Sequence, residues 1–124
     1  MIYVEKDVIY VTRGDDGEIK VPMETYDGDA YALGEDEYLI FSVREQPLAS
    51  SELLLEIQSE PGSNYIPFAH EDTADLPIGY YSAEIQLMLS DGQRTTVWPR
   101  LSGSKRISTD NRRNFCLMTE VVYR

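Results

Sequence analysis

The stretch that decides the fold is residues 72–92, which read D-T-A-D-L-P-I-G-Y-Y-S-A-E-I-Q-L-M-L-S-D-G. Successive side chains of a strand point to opposite faces. One face of this run is apolar or aromatic throughout: Tyr81, Ala83, Ile85, Leu87 and Leu89. The other face carries Tyr80, Ser82, Glu84, Gln86 and Met88. The run ends at Asp91-Gly92, a strong short signal for a hairpin turn. These residues predict a half-buried antiparallel strand.

Similar short runs occur along the rest of the chain, separated by turn residues. They predict strands over residues 8–12, 19–23, 38–44, 52–59, 64–69, 80–89, 93–100 and 115–122. Proline lacks the N–H that a sheet ladder needs, so we expect Pro22 to mark an edge or bulge and Pro67 to interrupt its strand. Residues 70–76 predict a single helical turn or tight loop between strands.

The number of strands and one tyrosine together indicate the fold class. Tyr81 follows Gly79-Tyr80, near the start of its predicted strand, where Ig-like sandwiches keep a corner tyrosine. At 124 residues the chain is within the size range of one domain. We therefore predict that residues 1–124 form a single all-β domain, an antiparallel Ig-like β-sandwich of about seven to nine strands. A basic polar loop is predicted over residues 100–114.

Charge is distributed unevenly and argues against two classes of partner. The chain has 22 acidic and 11 basic residues, a formal net charge of -11. Residues 1–60 hold fifteen of the acidic residues and four of the basic ones, whereas residues 61–124 hold seven of each. An acidic surface repels phosphate backbones and anionic lipid, so we expect neither nucleic acid nor a membrane as partner. Glu5, Lys6 and Asp7 interrupt any early apolar run, and we expect no signal peptide and no transmembrane segment.

No residue pattern predicts catalysis, a cofactor or a metal site. His70 is the only histidine and Cys116 the only cysteine, and no nucleophile motif accompanies them. We expect His70 to begin a turn, and Cys116 to be either a small buried apolar side chain or a thiol on a strand face. Two acidic loops contain enough carboxylates for calcium but lack its ligand spacing. These are Asp15, Asp16 and Glu18, and then Asp27, Asp29, Glu35, Asp36 and Glu37.

Two features allow binding, each with a simpler explanation. A basic run near the end of the chain, together with Trp98 as an apolar anchor, suggests a docking arm for an acidic protein surface or for another copy of this chain; the simpler explanation is a solvated loop. Its residues are Arg100, Lys105, Arg106, Arg112 and Arg113. Nine tyrosines and one tryptophan suggest a surface for stacking on sugars, although strand packing explains them as well.

Several stretches resemble one known family. Val11-Thr12-Arg13-Gly14-Asp15 is similar to the family's V-T-R-G-D opening, and residues 38–43 fit its central strand. His70-Glu71-Asp72-Thr73, followed by Leu76, Gly79 and Tyr81, fits its E-D-T…L…G-x-Y block, and residues 95–97 fit the next strand. Together they resemble the N-terminal Ig-like domain of phage baseplate upper proteins and related tail-module proteins from prophages of Gram-positive bacteria.

This resemblance implies a function without catalytic residues. Such a domain is an attachment and assembly module, so we expect a structural protein of a phage or prophage tail, in the host cytoplasm during assembly and then in the virion. Its partners would be other virion proteins or copies of itself. The alternative from a different class is a cell-surface carbohydrate-binding β-sandwich module.

Overall fold

The computed structural model describes residues 1–5, 7–25, 27–45, 51–98 and 114–119. Within these ranges the chain forms nine strands and one short helix. In chain order they are β1 (Ile2–Glu5), β2 (Val8–Thr12), β3 (Gly17–Lys20), β4 (Tyr38–Arg44), β5 (Leu53–Gln58), β6 (Tyr65–Phe68), α1 (His70–Thr73), β7 (Gly79–Met88), β8 (Arg94–Trp98) and β9 (Phe115–Met118). The predicted all-β character is confirmed.

The larger sheet has seven strands and mixed direction. Six of them follow the order β1-β2-β9-β7-β4-β5, and β8 pairs with β7 outside this path. Strands β2 and β9 are parallel, with Ile9 opposite Phe115, and the other pairs in this sheet are antiparallel. A wholly antiparallel arrangement was therefore the wrong expectation. Strand β9 runs antiparallel to β7, and β2 lies beside β9 running in the same direction.

The smaller sheet contains β3 and β6 in antiparallel register. Just beyond these strands, Val21 N donates to Asn64 O (2.8 Å), so these two residues form a hydrogen-bonded pair. Bonded and non-bonded pairs alternate along an antiparallel ladder, so every second residue of β6 directs its backbone groups to β3, and the residues between them direct theirs away from β3. Pro67 belongs to the set that points away from β3. The expected interruption at Pro67 is therefore wrong, because this proline sits where the ladder with β3 needs no N–H.

One apolar core joins the two sheets. Phe41 in β4 is fully buried and contacts Phe68 of the smaller sheet and Phe115 of β9, with ring centroids 5.4 and 5.7 Å apart. Alternate residues of the two strands predicted over 38–44 and 80–89 are buried in this core: Leu39, Phe41, Val43, Tyr81, Ala83, Ile85 and Leu87. The Tyr81 hydroxyl donates to the carbonyl of Pro77, just before β7.

The last part of the larger sheet is built from two separate strands beside β7. Strand β8 pairs with the second half of β7, and β9 pairs with its beginning. Between these two pairings lies Ala83, whose N–H donates to Asn114 Oδ1 (2.6 Å) and whose carbonyl accepts from Asn114 Nδ2 (2.8 Å). Asn114 is 4% exposed, and its own carbonyl accepts from Ile9 N in β2. Its side-chain amide therefore takes the place of a missing peptide group in the ladder.

The remaining predicted elements are close to those found. The single helical turn is confirmed as α1, which starts after Ala69, whose N–H donates to Asp72 Oδ2 (2.7 Å). Strand β1 was not predicted. Of the predicted basic loop, residues 100–114, only Asn114 lies within the described residues. Residues 120–122 of the predicted last strand also lie outside them.

Candidate functional site

The predicted docking residues fall mostly outside the part of the chain that the structure describes. Arg100, Lys105, Arg106, Arg112 and Arg113 all belong to that undescribed segment. Trp98 is described. It ends β8 opposite Ile85 and is half-buried against the core, so only part of its ring is available for a partner. The docking arm remains a prediction.

Three tyrosines and the cysteine form a row across the outer face of the larger sheet. Tyr3 in β1 lies opposite Tyr10 in β2, Tyr10 opposite Cys116 in β9, and Cys116 opposite Tyr80 in β7. The alternation of side chains along a strand puts all four on the face away from the core. We call these residues, Tyr3, Tyr10, Cys116 and Tyr80, the tyrosine row.

The tyrosine row has a stacked pair of rings at one end, and both of its ends are exposed to solvent. The rings of Tyr3 and Tyr10 stack with centroids 4.9 Å apart and planes 15° apart, a separation close to the spacing of neighbouring strands. The Tyr3 hydroxyl also reaches Met118 Sδ at 3.9 Å. Tyr80 is 50% exposed and Tyr3 is 37% exposed. The row is therefore a prearranged aromatic surface with solvent access at both ends.

The Tyr80 side chain in the tyrosine row is uncharged near neutral pH. Interaction with the Cys116 thiol, first through charge and then through a hydrogen bond, raises the pKa of Tyr80 above its ordinary value, and Tyr10 adds to the shift. A phenol already ionises only near pH 10, so Tyr80 stays protonated. Cys116 is both things that the sequence left open, a buried side chain and a thiol on a strand face.

Sequence reasoning missed the tyrosine row because it missed β1. The charged residues at 5–7 were interpreted only as an interruption of the early apolar run, whereas Asp7 adopts φ 63°, a conformation suited to a tight turn. The signal that was available is the spacing of apolar residues on both sides of this turn. Ile2 and Val4 pair with Val11 and Ile9 on the core side of a hairpin.

The predicted acidic loop makes a local hydrogen-bond network. Glu37 Oε1 accepts from the Tyr31 hydroxyl (2.7 Å) and from Gly34 N (2.8 Å). The bond from Gly34 and then that from Tyr31 lower the pKa of Glu37, while the same contact raises the pKa of Tyr31. Over the described residues, no three His, Cys, Asp or Glu side chains come together in a way that could hold a metal ion. Glu37 therefore stabilises its own loop through these two hydrogen bonds.

His70 is held by the turn that follows β2. Its Nδ1 lies 2.6 Å from the carbonyl oxygen of Gly14, and its backbone N–H donates to Asp16 Oδ1 (2.6 Å). The neighbouring hydroxyl of Thr73, fully buried, accepts from Gly14 N (2.8 Å). These bonds fasten α1 to the turn at residues 13–16.

The geometry of the tyrosine row bears on the carbohydrate alternative. Stacking on a sugar requires an aromatic face that is free. In the Tyr3–Tyr10 pair each ring covers one face of the other, so the pair offers solvent its ring edges, its hydroxyl groups and the outer face of Tyr3 at the edge of the sheet. Edges and hydroxyls suit the mixed apolar and polar contacts of a protein interface.

Comparison with protein-family models, curated proteins and solved structures found nothing that matches this chain. Within the described ranges, no helix has the length and apolar character that crossing a bilayer requires.

Proposed function

We propose that this chain is a non-enzymatic assembly module of a phage or prophage tail, built on an Ig-like β-sandwich. The pairing order supports the Ig-like arrangement. Such domains place their second and fifth strands in one sheet and their third, sixth and seventh in the other. Here β3 pairs with β6, while β4, β7 and β9 are neighbours in the larger sheet. Strand β5 takes the place of the additional edge strand found in the variable type.

The bond from Tyr81 is a second reason for this fold. In Ig-like domains a tyrosine near the start of the sixth strand donates to the backbone a few residues upstream. Tyr81 stands near the start of β7 and donates to the carbonyl of Pro77. The two supports are independent, because one concerns strand order and the other a single side chain.

The observation that carries the assembly function is the tyrosine row. Tyrosine is enriched in protein interfaces, and the centres of these interfaces contain fewer charged residues than the rest of the protein surface. The row is an uncharged aromatic strip on a chain of net charge -11, and its ends are open to solvent. Glu37 bonds within its own loop, where its Oε1 accepts from Gly34 N, and His70 Nδ1 bonds to the carbonyl of Gly14. A surface made for contact fits these facts better than a site made for reaction.

The test is to ask whether the chain is part of tail particles and whether the tyrosine row places it there. Tailed particles are purified from an induced lysogen that lacks the chromosomal copy and expresses a tagged one. Mass spectrometry then measures the chain relative to a major tail protein. We expect the wild-type chain in a fixed ratio. The double variant Tyr3→Ser/Tyr80→Ser should fall at least tenfold in the particles while remaining folded in the lysate.

The matched control is Tyr65→Ser. Tyr65 is also an exposed tyrosine on a strand, but it belongs to β6 in the smaller sheet. It should enter particles as wild type does. Particles that contain no wild-type chain would refute the assembly function. A chain that is absent from particles but binds purified cell-wall polysaccharide would support the carbohydrate-binding alternative instead.

A further inference from the structure

Strand β1 forms one edge of the larger sheet. Half of the backbone N–H and carbonyl groups of β1 point away from its neighbour β2. Thr12 N donates to Met1 O (2.8 Å), and the same register puts Tyr3 opposite Tyr10. Alternate residues of an antiparallel strand bond to the same neighbour, so Tyr3 directs its N–H and carbonyl to β2. The N–H and carbonyl groups of Ile2 and Val4 therefore point to the open side, where no described strand pairs with β1.

This edge has few of the features that protect edge strands from pairing. Proteins protect such strands with proline, bulges or several charges. In the described sheets, β6 has Pro67 on its open side, and the pairing of β5 with β4 shifts register between Val43 and Arg44. Strand β1 has neither, and Glu5 is its one charged residue. Val4 on its core side is 49% exposed. Within the described residues, its length of four residues and the charge of Glu5 are the features that limit pairing.

We propose that two copies of this chain pair through β1, antiparallel, about a two-fold axis at Tyr3. In this register Ile2 of one copy and Val4 of the other exchange both backbone hydrogen bonds, which uses all of the open groups of both residues. Ile2 also covers the exposed Val4 of its partner copy. The two Glu5 carboxylates lie at opposite ends of the strand pair, so no like charges stand directly opposite.

The proposed pairing also extends the tyrosine row. Tyr3 of one copy stands opposite Tyr3 of the other, in the class of pair whose Cα atoms are closest, about 4.5 Å apart. The stack of Tyr3 on Tyr10 then continues across the axis as four rings. A second copy is favoured over another extended partner for three reasons that hold in one register. The open backbone groups form hydrogen bonds, Ile2 contacts the exposed Val4, and no like charges lie opposite each other. The same four residues meet these conditions on both sides.

The contact is small, and this determines how it behaves. Two four-residue strands bury much less than the roughly 800 Å² per partner of a standard interface. The dimer should therefore be weak and depend on concentration. A two-fold contact of this kind uses the same patch on both copies and closes at two. The inference does not rest on the assembly function, since a chain that never enters a virion can still form this dimer.

Position-specific cross-linking tests the register. Tyr3→Cys is made in a Cys116→Ser background, and Leu53→Cys in the same background is the control, because Leu53 is a similarly exposed residue (42%) on β5 at the opposite edge. Cα atoms about 4.5 Å apart are within the range of a disulfide. Under mild oxidation Tyr3→Cys should form covalent dimer at least tenfold faster than Leu53→Cys. Equal rates would mean random collision and would overturn the proposal.

Sedimentation of the unlinked chain tests the backbone pairing. Val4→Pro removes an N–H that no described strand uses, so the fold should remain, while the proposed partner loses a hydrogen bond. Val4→Lys, which leaves the backbone intact and places a charge at the contact, is measured in parallel. Both variants should weaken dimerisation at least tenfold while keeping the wild-type circular dichroism spectrum. A wild-type chain that stays monomeric up to millimolar concentration, or folded variants that dimerise as wild type does, would refute the pairing.

Discussion

Replacing Asn114 by alanine should destabilise the fold more than any other loss of one polar side chain that the structure describes. Asn114 is 4% exposed, and its amide satisfies both the N–H and the carbonyl of Ala83 at 2.6 and 2.8 Å. Its removal leaves two buried backbone groups without these partners. Each such group costs about 1–3 kcal/mol, so we expect a loss of about 2–6 kcal/mol. The total stability of a domain is only about 5–15 kcal/mol.

The assay is urea and thermal unfolding followed by circular dichroism. For a domain of this size, each kcal/mol corresponds to roughly 4 °C in melting temperature, so Asn114→Ala should melt about 8–24 °C lower. The matched control is Asn64→Ala. Asn64 Nδ2 donates once, to Val21 O (3.0 Å), in a partly buried place that water can reach. Its loss should cost about 0.5–1.5 kcal/mol.

The isosteric variant Asn114→Asp separates the hydrogen bonds from packing. In its ionised form the new carboxylate cannot donate to the Ala83 carbonyl, whereas in its protonated form it can. Protonation therefore favours the folded state, the carboxyl pKa is raised by folding, and the variant should be most stable at low pH. Its stability should fall as pH rises from about 4, the ordinary value for aspartate, through the raised pKa. Equal losses for Asn114→Ala and Asn64→Ala, or an Asn114→Asp variant without this pH dependence, would refute the role of the amide.

Four further predictions follow from the core, the loops and the charges. Ile85→Asp should abolish cooperative unfolding, because Ile85 is buried and an unpaired carboxylate there costs several kcal/mol; a soluble variant with an unchanged melt would contradict the assigned face of β7. Glu37→Gln should lower the melting temperature near neutral pH but not in acid: the lowered pKa of Glu37 means that its contribution is present above the unfolded-state pKa and is lost as pH falls through the folded-state pKa. If the two melting curves differ by the same amount from acid to neutral pH, that assignment is wrong. Melts in EDTA and in millimolar calcium should coincide, and a calcium-dependent rise of more than about 5 °C would reveal a site. If the basic run is a docking arm, association beyond a dimer should weaken at high salt and in Arg112→Glu/Arg113→Glu; profiles unaffected by both changes would leave a solvated loop.

The parts of the fold that could be predicted are those where one side-chain pattern has one structural solution. Alternation across residues 80–89 placed Ile85 and Leu87 in the core, because a shift of one residue would bury Glu84 instead. Residues 38–44 were predicted with their observed bounds, since both faces are apolar over the first part of this run. For residues 70–76 the sequence predicted either a single helical turn or a tight loop, and the structure has the helical turn.

The parts that could not be predicted depend on contacts between distant residues. No local pattern shows that β2 lies parallel to β9, since either direction buries Ile9 and Val11 equally well. The role of Asn114 could not be predicted either. An asparagine next to an apolar run is typical of a turn, and its bonds to Ala83 are known only once the strands are in place. The tyrosine row needs four strands in register before its members come together. Sequence reasoning saw nine tyrosines and could not say which of them are neighbours.

The parallel pair of β2 and β9 has a consequence for the order in which the chain folds. During synthesis, Phe115 is made about a hundred residues after its partner Ile9. Until then the β1–β2 hairpin has no place in the larger sheet, and the apolar side chains of β2 remain without the strand that joins them to β7. Contacts between such distant segments pay a large loop-closure entropy and slow folding. The docking of β9 between β2 and β7 should therefore be the late step of folding. Until β9 docks, the β1–β2 hairpin exposes apolar side chains, and the chain is then most prone to misassembly.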